Sequence, residues 1–137
     1  MQINDLKKIL LENNHTIVIY KNDASVFVSN DRGVAPLMKL LKDNKLQLKD
    51  YIIADKVIGK AAALLMAYAR VKEVYSPIIS KPAIKVFEKH NIKISYDKTV
   101  ERIINRRGDG LCPLETLCLG IENPDEAYIS ISNKLYQ

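Results

Sequence analysis

The stretch from Ile52 to Tyr68, IIADKVIGKAAALLMAY, limits what this chain can fold into more than any other. A short apolar strand, Tyr51 to Ala54, runs into a polar turn at Asp55-Lys56. Gly59-Lys60 then opens a helix through Ala61, Ala62, Ala63, Leu64, Leu65, Met66 and Ala67. That helix is apolar on nearly every side, and a helix without a polar face is buried on more than one side. Other elements must therefore wrap around it. Its N-terminus carries unpaired N–H groups and the positive end of the helix dipole, a natural place for an anion. Asp55, Lys56, Gly59 and Lys60 are expected at that edge.

A chain of 137 residues is long enough to surround such a helix with one full core, so a single domain over 1–137 is expected. The formal charge of +5 admits an anionic partner. The basic residues are scattered, however, with Arg106-Arg107 the only adjacent arginines, and no basic-aromatic RNA motif accompanies the seven tyrosines. Nucleic acid is therefore not an expected partner. The N-terminus has no cationic segment leading into an apolar run, and the longest apolar run is far short of a membrane span. Two cysteines, Cys112 and Cys118, are too few for a disulfide framework, which points to a reducing cytoplasm.

Ahead of the central stretch, Ile3, Leu6, Ile9 and Leu10 have helical spacing, with a polar stop at Glu12-Asn13-Asn14. His15 to Tyr20 and Ala24 to Ser29 read as two strands of an antiparallel hairpin turning at Lys21-Asn22-Asp23. Asn30-Asp31 precedes a helix over Gly33 to Lys42, with Val34, Leu37, Met38 and Leu41 on one face. Asn44 to Asp50 is a connection. After the central helix come a strand over Lys72 to Ile79, a helix over Lys81 to His90 capped by Ser80, and an alternating strand over Ile92 to Tyr96. A short helix is expected over Thr99 to Arg106, followed by a loop over Arg107 to Gly110. Cys112-Pro113-Leu114-Glu115 and Asn123-Pro124-Asp125-Glu126 both open helices, each with Pro at the first helical position and Glu at the third. The order α-β-β-α-β-α-β-α-β predicts an α/β protein: a three-layer α-β-α sandwich around a mixed five-stranded sheet. Ligands of such sheets lie beyond the carboxyl ends of the strands, so the loops Ser29 to Gly33 and Asp55 to Lys60 are expected to meet there.

The same element order is that of the cytidine-deaminase-like fold. Zinc deaminases open the helix after the hairpin with His (or Cys)-x-Glu and carry Pro-Cys-x-x-Cys at the next strand-helix junction. This chain reads Asn30-Asp31-Arg32-Gly33-Val34-Ala35-Pro36 at the first junction and Val57-Ile58-Gly59-Lys60-Ala61-Ala62-Ala63 at the second. Neither holds a zinc ligand set, and His15 and His90 fall at a strand start and a helix end. The segments Ala54 to Leu65, Ile104 to Glu115 and Arg32 to Leu37 resemble a small uncharacterised family of deaminase-like proteins without zinc. The resemblance spans nearly the whole chain. It implies the scaffold, no metal, no cofactor, and a nucleotide or ADP-ribose-type ligand.

Four motifs carry candidate site residues. Asp55-Lys56-x-x-Gly59-Lys60 is not a phosphate loop, because G-x-x-x-x-G-K-[ST] requires Gly where Ala54 stands and Ser or Thr where Ala61 stands. A cationic helix start at Gly59-Lys60 remains, able to hold a phosphate, against the alternative that Asp55 merely caps the helix. Gly108 to Glu115 places Cys112 at a helix cap, where the dipole and the neighbouring Arg106 and Arg107 favour thiolate and Glu115 opposes it. Cys112 is the candidate nucleophile, against the alternative of a small buried hydrophobe, and Gly110 would let the backbone approach a ligand. Asp31-Arg32-Gly33 occupies the first deaminase junction, where Arg32 would bind phosphate or carboxylate. Asn105-Arg106-Arg107 either complements a helix dipole or clamps an anion against the Cys112 loop.

The leading expectation is a small cytosolic protein that binds a nucleotide or ADP-ribose-type anion on a zinc-less deaminase-like scaffold. Arg32, Lys56, Lys60 and Arg106 would serve phosphate, with Gly33, Gly59 and Gly110 allowing close approach. Asp55 and Glu115 would bond ribose or base, and Cys112 would sit at the reacting or contacting end. The alternatives are a transferase or hydrolase using Cys112 and a non-catalytic, homo-oligomeric interaction module.

Overall fold

The computed structural model describes residues 2–21, 26–31, 33–44, 51–105 and 107–136. Helix α1 (Ile3–Glu12) leads into strands β1 (Ile17–Tyr20) and β2 (Val26–Ser29), then helix α2 (Ala35–Asn44). Strands β3 (Ile52–Asp55) and β4 (Val57–Ile58) precede helix α3 (Lys60–Ala69), the apolar helix of the central stretch. Strand β5 (Glu73–Ser80), helix α4 (Lys81–Lys89), strand β6 (Lys93–Val100) and helices α5 (Pro113–Leu117) and α6 (Pro124–Leu135) complete the chain.

The strands form one mixed sheet. β1 is antiparallel to both β2 and β3, while β5 runs parallel to β3, β4 and β6. Among the described residues the sheet has six strands and not the expected five. β3 and β4 face the same edge of β5 in a single register, Ile52 to Ala54 opposite Glu73 to Tyr75 and Val57-Ile58 opposite Ile78-Ile79. The gap between them lies opposite Ser76-Pro77. Pro77 has no N–H to give to a ladder, and the pairing of β5 with β6 skips the same position. One proline thus divides a single row of backbone into two strands and frees Asp55-Lys56 from the ladder with β5.

Side chains alternate across the sheet on either side of the Pro77 gap, where the alternation slips by one position, so that Val74 and Ile79 share a face. Val18, Tyr20, Ile52, Ala54 and Tyr75 meet Leu6 and Leu10 of α1 on one face. Ile17, Ile19, Ile53, Val74 and Ile79 join α2, α3, α4 and α6 on the other. Every residue of α3 except Tyr68 is buried, with α4 and α6 packed against it and α2, α5 and β4 touching it. A helix built from Ala, Leu and Met has no face for water, and it takes the one place where none is needed.

Local capping follows the sequence closely. The Ser80 hydroxyl accepts from the Ala83 N–H at 3.3 Å, and the Asn123 side chain accepts from the Asp125 and Glu126 N–H groups at 2.8 and 3.3 Å. Two expectations differ. The helix expected from Gly33 starts at Ala35, because Gly33 has φ +67° and cannot lie in a right-handed helix. The expected helix over Thr99 to Arg106 is absent: β6 runs on to Val100 because β5 offers it partners as far as Ser80. Ile104 instead forms an antiparallel bridge with Leu111. The hairpin turn at Asn22-Asp23 and residues 45–50 of the connection lie outside the described residues.

Leu64 is fully buried in α3. Leu64→Ala is expected to cost about 2–5 kcal/mol in denaturant unfolding, the range of cavity-forming core truncations.

Candidate functional site

A cavity of about 300 Å³ opens beyond the carboxyl end of β3. Four segments wall it: Thr16 at the start of β1, Gly33 and Val34 after β2, Asp55 to Ala62 from β3 into α3, and Ile103 to Glu115 around α5. The loops after β2 and β3 do meet. Thr16 ties them together, with its hydroxyl within 2.9 Å of Ser29 O and 2.6 Å of Asp31 O, and its carbonyl accepting from the Lys56 N–H at 2.9 Å. The walls are mostly apolar: Val34, Val57, Ala61, Ala62, Ile103 and Leu114.

Of the residues expected to form the site, Gly33, Asp55, Lys56, Gly59, Cys112 and Glu115 line this one cavity. Lys60 and Gly110 do not. The expected positions Arg32 and Arg106 lie outside the described residues. Thr16, Ile103 and Leu114 were not anticipated. Thr16 heads a strand and gives no local signal, while Ile103 and Leu114 read as ordinary core positions.

The N-terminus of α3 is already occupied. The Lys60 N–H donates to both oxygens of the Glu115 carboxylate, at 2.9 and 3.1 Å, and Glu115 is only 5% exposed. The expected anion is therefore a side chain of the protein itself, which displaces the reading of Asp55 as the cap. Gly59 stands at the cap position and has no side chain to offer. A Cβ there would lie 1.9 Å from Glu115 Oε1 and 2.8 Å from Ile103 Cγ1. The backbone at Gly59 is extended, so space and not conformation demands the glycine. The Lys60 ammonium leaves the cavity and donates to Leu119 O at 3.2 Å and to Glu122 Oε1 at 3.1 Å. Lys60 is 8% exposed, so this buried cation holds the chain beyond α5 at a second point. The Lys56 ammonium donates to Asn14 Oδ1. Gly110 sits in the loop closed by the Ile104–Leu111 bridge, its carbonyl accepting from the Asn105 N–H at 2.9 Å.

The titrating groups of the cavity are carboxyls. Burial pushes Asp55 from an ordinary 3.8 up to about 8, against the pull of the Val57 and Lys56 N–H groups. No cation pairs with Asp55 among the described residues. Burial also raises Glu115, opposed by the Lys60 N–H, by the charges of Arg102 and Lys60, and by the Ala61 N–H. Cys112 is half-buried at the cap of α5, and no side-chain hydrogen bond runs from its thiol to the helix. Cys118 is fully buried in the core, where burial lifts its thiol to about 11, so it stays protonated. Both cysteines are free. His15 bonds Asn30 at 2.8 Å, and His90 lies at the end of α4. Among the described residues no three His, Cys, Asp or Glu side chains gather closely enough to hold a metal ion. No helix of the described residues is long and apolar enough to cross a membrane.

Residues 5–135 match the family described as a domain of unknown function, DUF1893. This chain belongs to that family. A crystal structure of a DUF1893 family protein from Thermotoga maritima superposes with a TM-score of 0.88 at 28% sequence identity, covering 98% of this chain and 92% of that one. No curated protein matches the chain. Among the described residues the DUF1893 fold in this chain is thus a mixed six-stranded sheet with six helices, and the cavity sits where loops from four of its segments converge.

Two outcomes follow from the geometry. Gly59→Ala should displace Glu115 and cost about 1–3 kcal/mol of unfolding free energy, a lost cap plus crowding against Ile103. The double variant Gly59→Ala/Glu115→Ala should cost clearly less than the sum of the single variants, because both remove one contact. Asp55 sets a pH dependence whose sign is fixed. Its folded form holds a proton that the unfolded chain releases near 4, so its contribution is complete below about pH 4 and is lost as pH rises through about 8. The melting temperature should fall by several degrees between about pH 5 and pH 9, and Asp55→Asn should remove most of that fall.

Proposed function

We propose that this protein binds a nucleotide-type ligand in the cavity at the end of β3, on a three-layer scaffold of cytidine-deaminase-like kind. The scaffold reading rests on element order. Once β3 and β4 are counted as the single row that Pro77 divides, the order α-β-β-α-β-α-β-α-β is unchanged. α1 covers one face of the sheet and the remaining core helices the other. The ligand reading rests on one observation: six residues singled out for chemistry, from three separate segments, line one cavity beyond the carboxyl end of a central strand, the position where ligands of α/β sheets bind.

The geometry changes how such a ligand would sit. The N-terminus of α3 and Lys60 are engaged internally, so a phosphate has no place at the floor. Lys56 is the described lysine lining the cavity, which puts a ligand's phosphate beside it and the base and sugar against the apolar walls. At about 300 Å³ the cavity lies at the lower end of the ~300–1,000 Å³ of small-molecule sites, which favours a nucleoside or mononucleotide over the whole of ADP-ribose. Two free thiols accord with a cytoplasmic setting.

Calorimetric titration with nucleosides, mononucleotides and ADP-ribose tests the reading. Dissociation constants on the order of 1–100 µM are expected, with Lys56→Ala weakening mononucleotides about tenfold and nucleosides little. Absence of heat and of thermal stabilisation for every compound would refute it.

A second reading, thiol-dependent group transfer or hydrolysis, rests on Cys112 lying in the cavity wall. Iodoacetamide should then alkylate Cys112 faster than a free peptide thiol near neutral pH, and a bound nucleotide should protect it. A rate equal to that of the free thiol removes this reading.

A further inference from the structure

We propose that the far end of α3 carries a second site, which takes a small oxyanion, a carboxylate or a phosphate, on Arg70 with His90 and Asn91. This site shares no residue with the cavity at the end of β3 and stands independently of the ligand proposed there. A pocket of about 270 Å³ opens at the carboxyl ends of α3 and α4, lined by Ala67, Arg70, Val71, His90, Asn91 and Ile92. The ten residues of α3 separate it from the first cavity, about 15 Å of helix rise. Both helices end in the same way. Arg70 and Asn91 are left-handed, with φ of +59° and +57°. The Arg70 and Val71 N–H groups donate to Ala67 O and Met66 O at 3.1 and 3.3 Å, and the Asn91 and Ile92 N–H groups donate to Glu88 O and Phe87 O at 3.2 and 3.0 Å. Backbone alone thus closes both helix ends, and neither needs a side chain to finish it.

The side chains are left over. Among the described residues the Arg70 guanidinium and the Asn91 amide make no hydrogen bond or ion pair. His90 Nε2 is shut away from water and has no hydrogen-bond partner. A buried polar atom without a partner is rare in a native fold and calls for a cause. Three unspent polar side chains therefore surround one pocket, and none of its lining residues is acidic. Their chemistry is rich in donors: the guanidinium has five N–H groups and no acceptor, and the amide has two donors. The complement of that set is a negative group with several acceptor oxygens. Carboxylate and phosphate both accept the two parallel N–H bonds of an arginine fork. The volume falls below the ~300–1,000 Å³ of drug-sized ligand sites, so the anion is small. The competing account is that Arg70 merely complements the dipole of α3. That account leaves the orphaned imidazole and the idle amide without a cause. It also puts an arginine at the left-handed position where glycine is least strained.

The test is thermal melting and calorimetric titration of the full chain with phosphate, acetate and succinate, against chloride at matched ionic strength and about pH 7. One equivalent of phosphate or carboxylate is expected to bind with a Kd on the order of 0.1–1 mM and to raise the melting temperature by a few degrees at about 10 mM. Either response upholds the site, and the larger one names its oxyanion. Proton NMR places the bound anion, because the chain has two histidines. The ring signals of His90, assigned with His90→Gln, should shift while those of His15 stay. Arg70→Gly and Asn91→Gly suit the left-handed backbone, so both variants should fold. Arg70→Gly should abolish the response to anions without lowering the melting temperature in chloride. Arg70→Lys should weaken binding about tenfold, since lysine has no fork, and Asn91→Gly should weaken it several-fold. A response no greater than that to chloride, one that survives Arg70→Gly, or one that moves His15 and not His90 overturns the site. An Arg70→Gly variant that melts lower in chloride, with no gain from phosphate or carboxylate in the wild type, returns Arg70 to the helix dipole.

Discussion

The contact between the Glu115 carboxylate and the first N–H of α3 is the interaction on which the rest of the structure depends. An all-apolar helix has to be surrounded, so its polar ends come to lie inside the protein, where unpaired N–H groups are costly. Gly59 brings no side chain to the cap position, and the free N–H must find its partner elsewhere. A segment more than fifty residues further along the chain supplies it. The same lysine whose backbone receives Glu115 sends its ammonium to Leu119 and Glu122, so the chain around α5 is fixed to α3 at both ends of its turn. With the chain held there, Ile103, Cys112 and Leu114 close the fourth wall of the cavity.

That arrangement reverses the electrostatic character of the site. A chain with a formal charge of +5 invites the reading of an anion receptor, and the helix start with its lysine is where such a receptor would be built. The protein fills that receptor with its own carboxylate. What remains around the cavity is mostly apolar wall, with Asp55 held by the Val57 and Lys56 N–H groups, Lys56 tied outward, and a thiol in the wall. Burial raises both carboxyls, Asp55 to about 8, and the Lys60 and Ala61 N–H groups and the charges of Arg102 and Lys60 oppose the rise of Glu115.

Much of this was legible in the residues. The buried status of α3 follows from its composition, and the caps at Ser80, Cys112 and Asn123 follow from local spacing. The hairpin and the parallel strands follow from the alternation of patterns. Gly33, Asp55, Lys56, Gly59, Cys112 and Glu115 could be gathered on one side because loops at the same ends of a sheet must lie together. The failures share a cause. The spacing of Val100, Ile103 and Ile104 points to a helix from Thr99, but the partner backbone offered by β5 outweighs that short pattern, as tertiary pairing does for β-branched residues. The split of one strand into two could not be counted from Tyr51 to Ile58 alone, because the proline that causes it lies on a neighbouring strand.

The sequence by itself determined that a buried helix would organise a mixed α/β core and that particular polar residues would collect at one edge. These are consequences of periodicity and of residue chemistry, which act over a few neighbours. Only the tertiary structure decided which polar group would meet which. Glu115 reads locally as the third residue of its own helix, and Lys60 reads as a free cation at a helix start. Each instead satisfies a distant partner, because desolvation makes an unpaired polar group costly wherever the fold buries it, and the nearest complement in space is not the nearest in sequence.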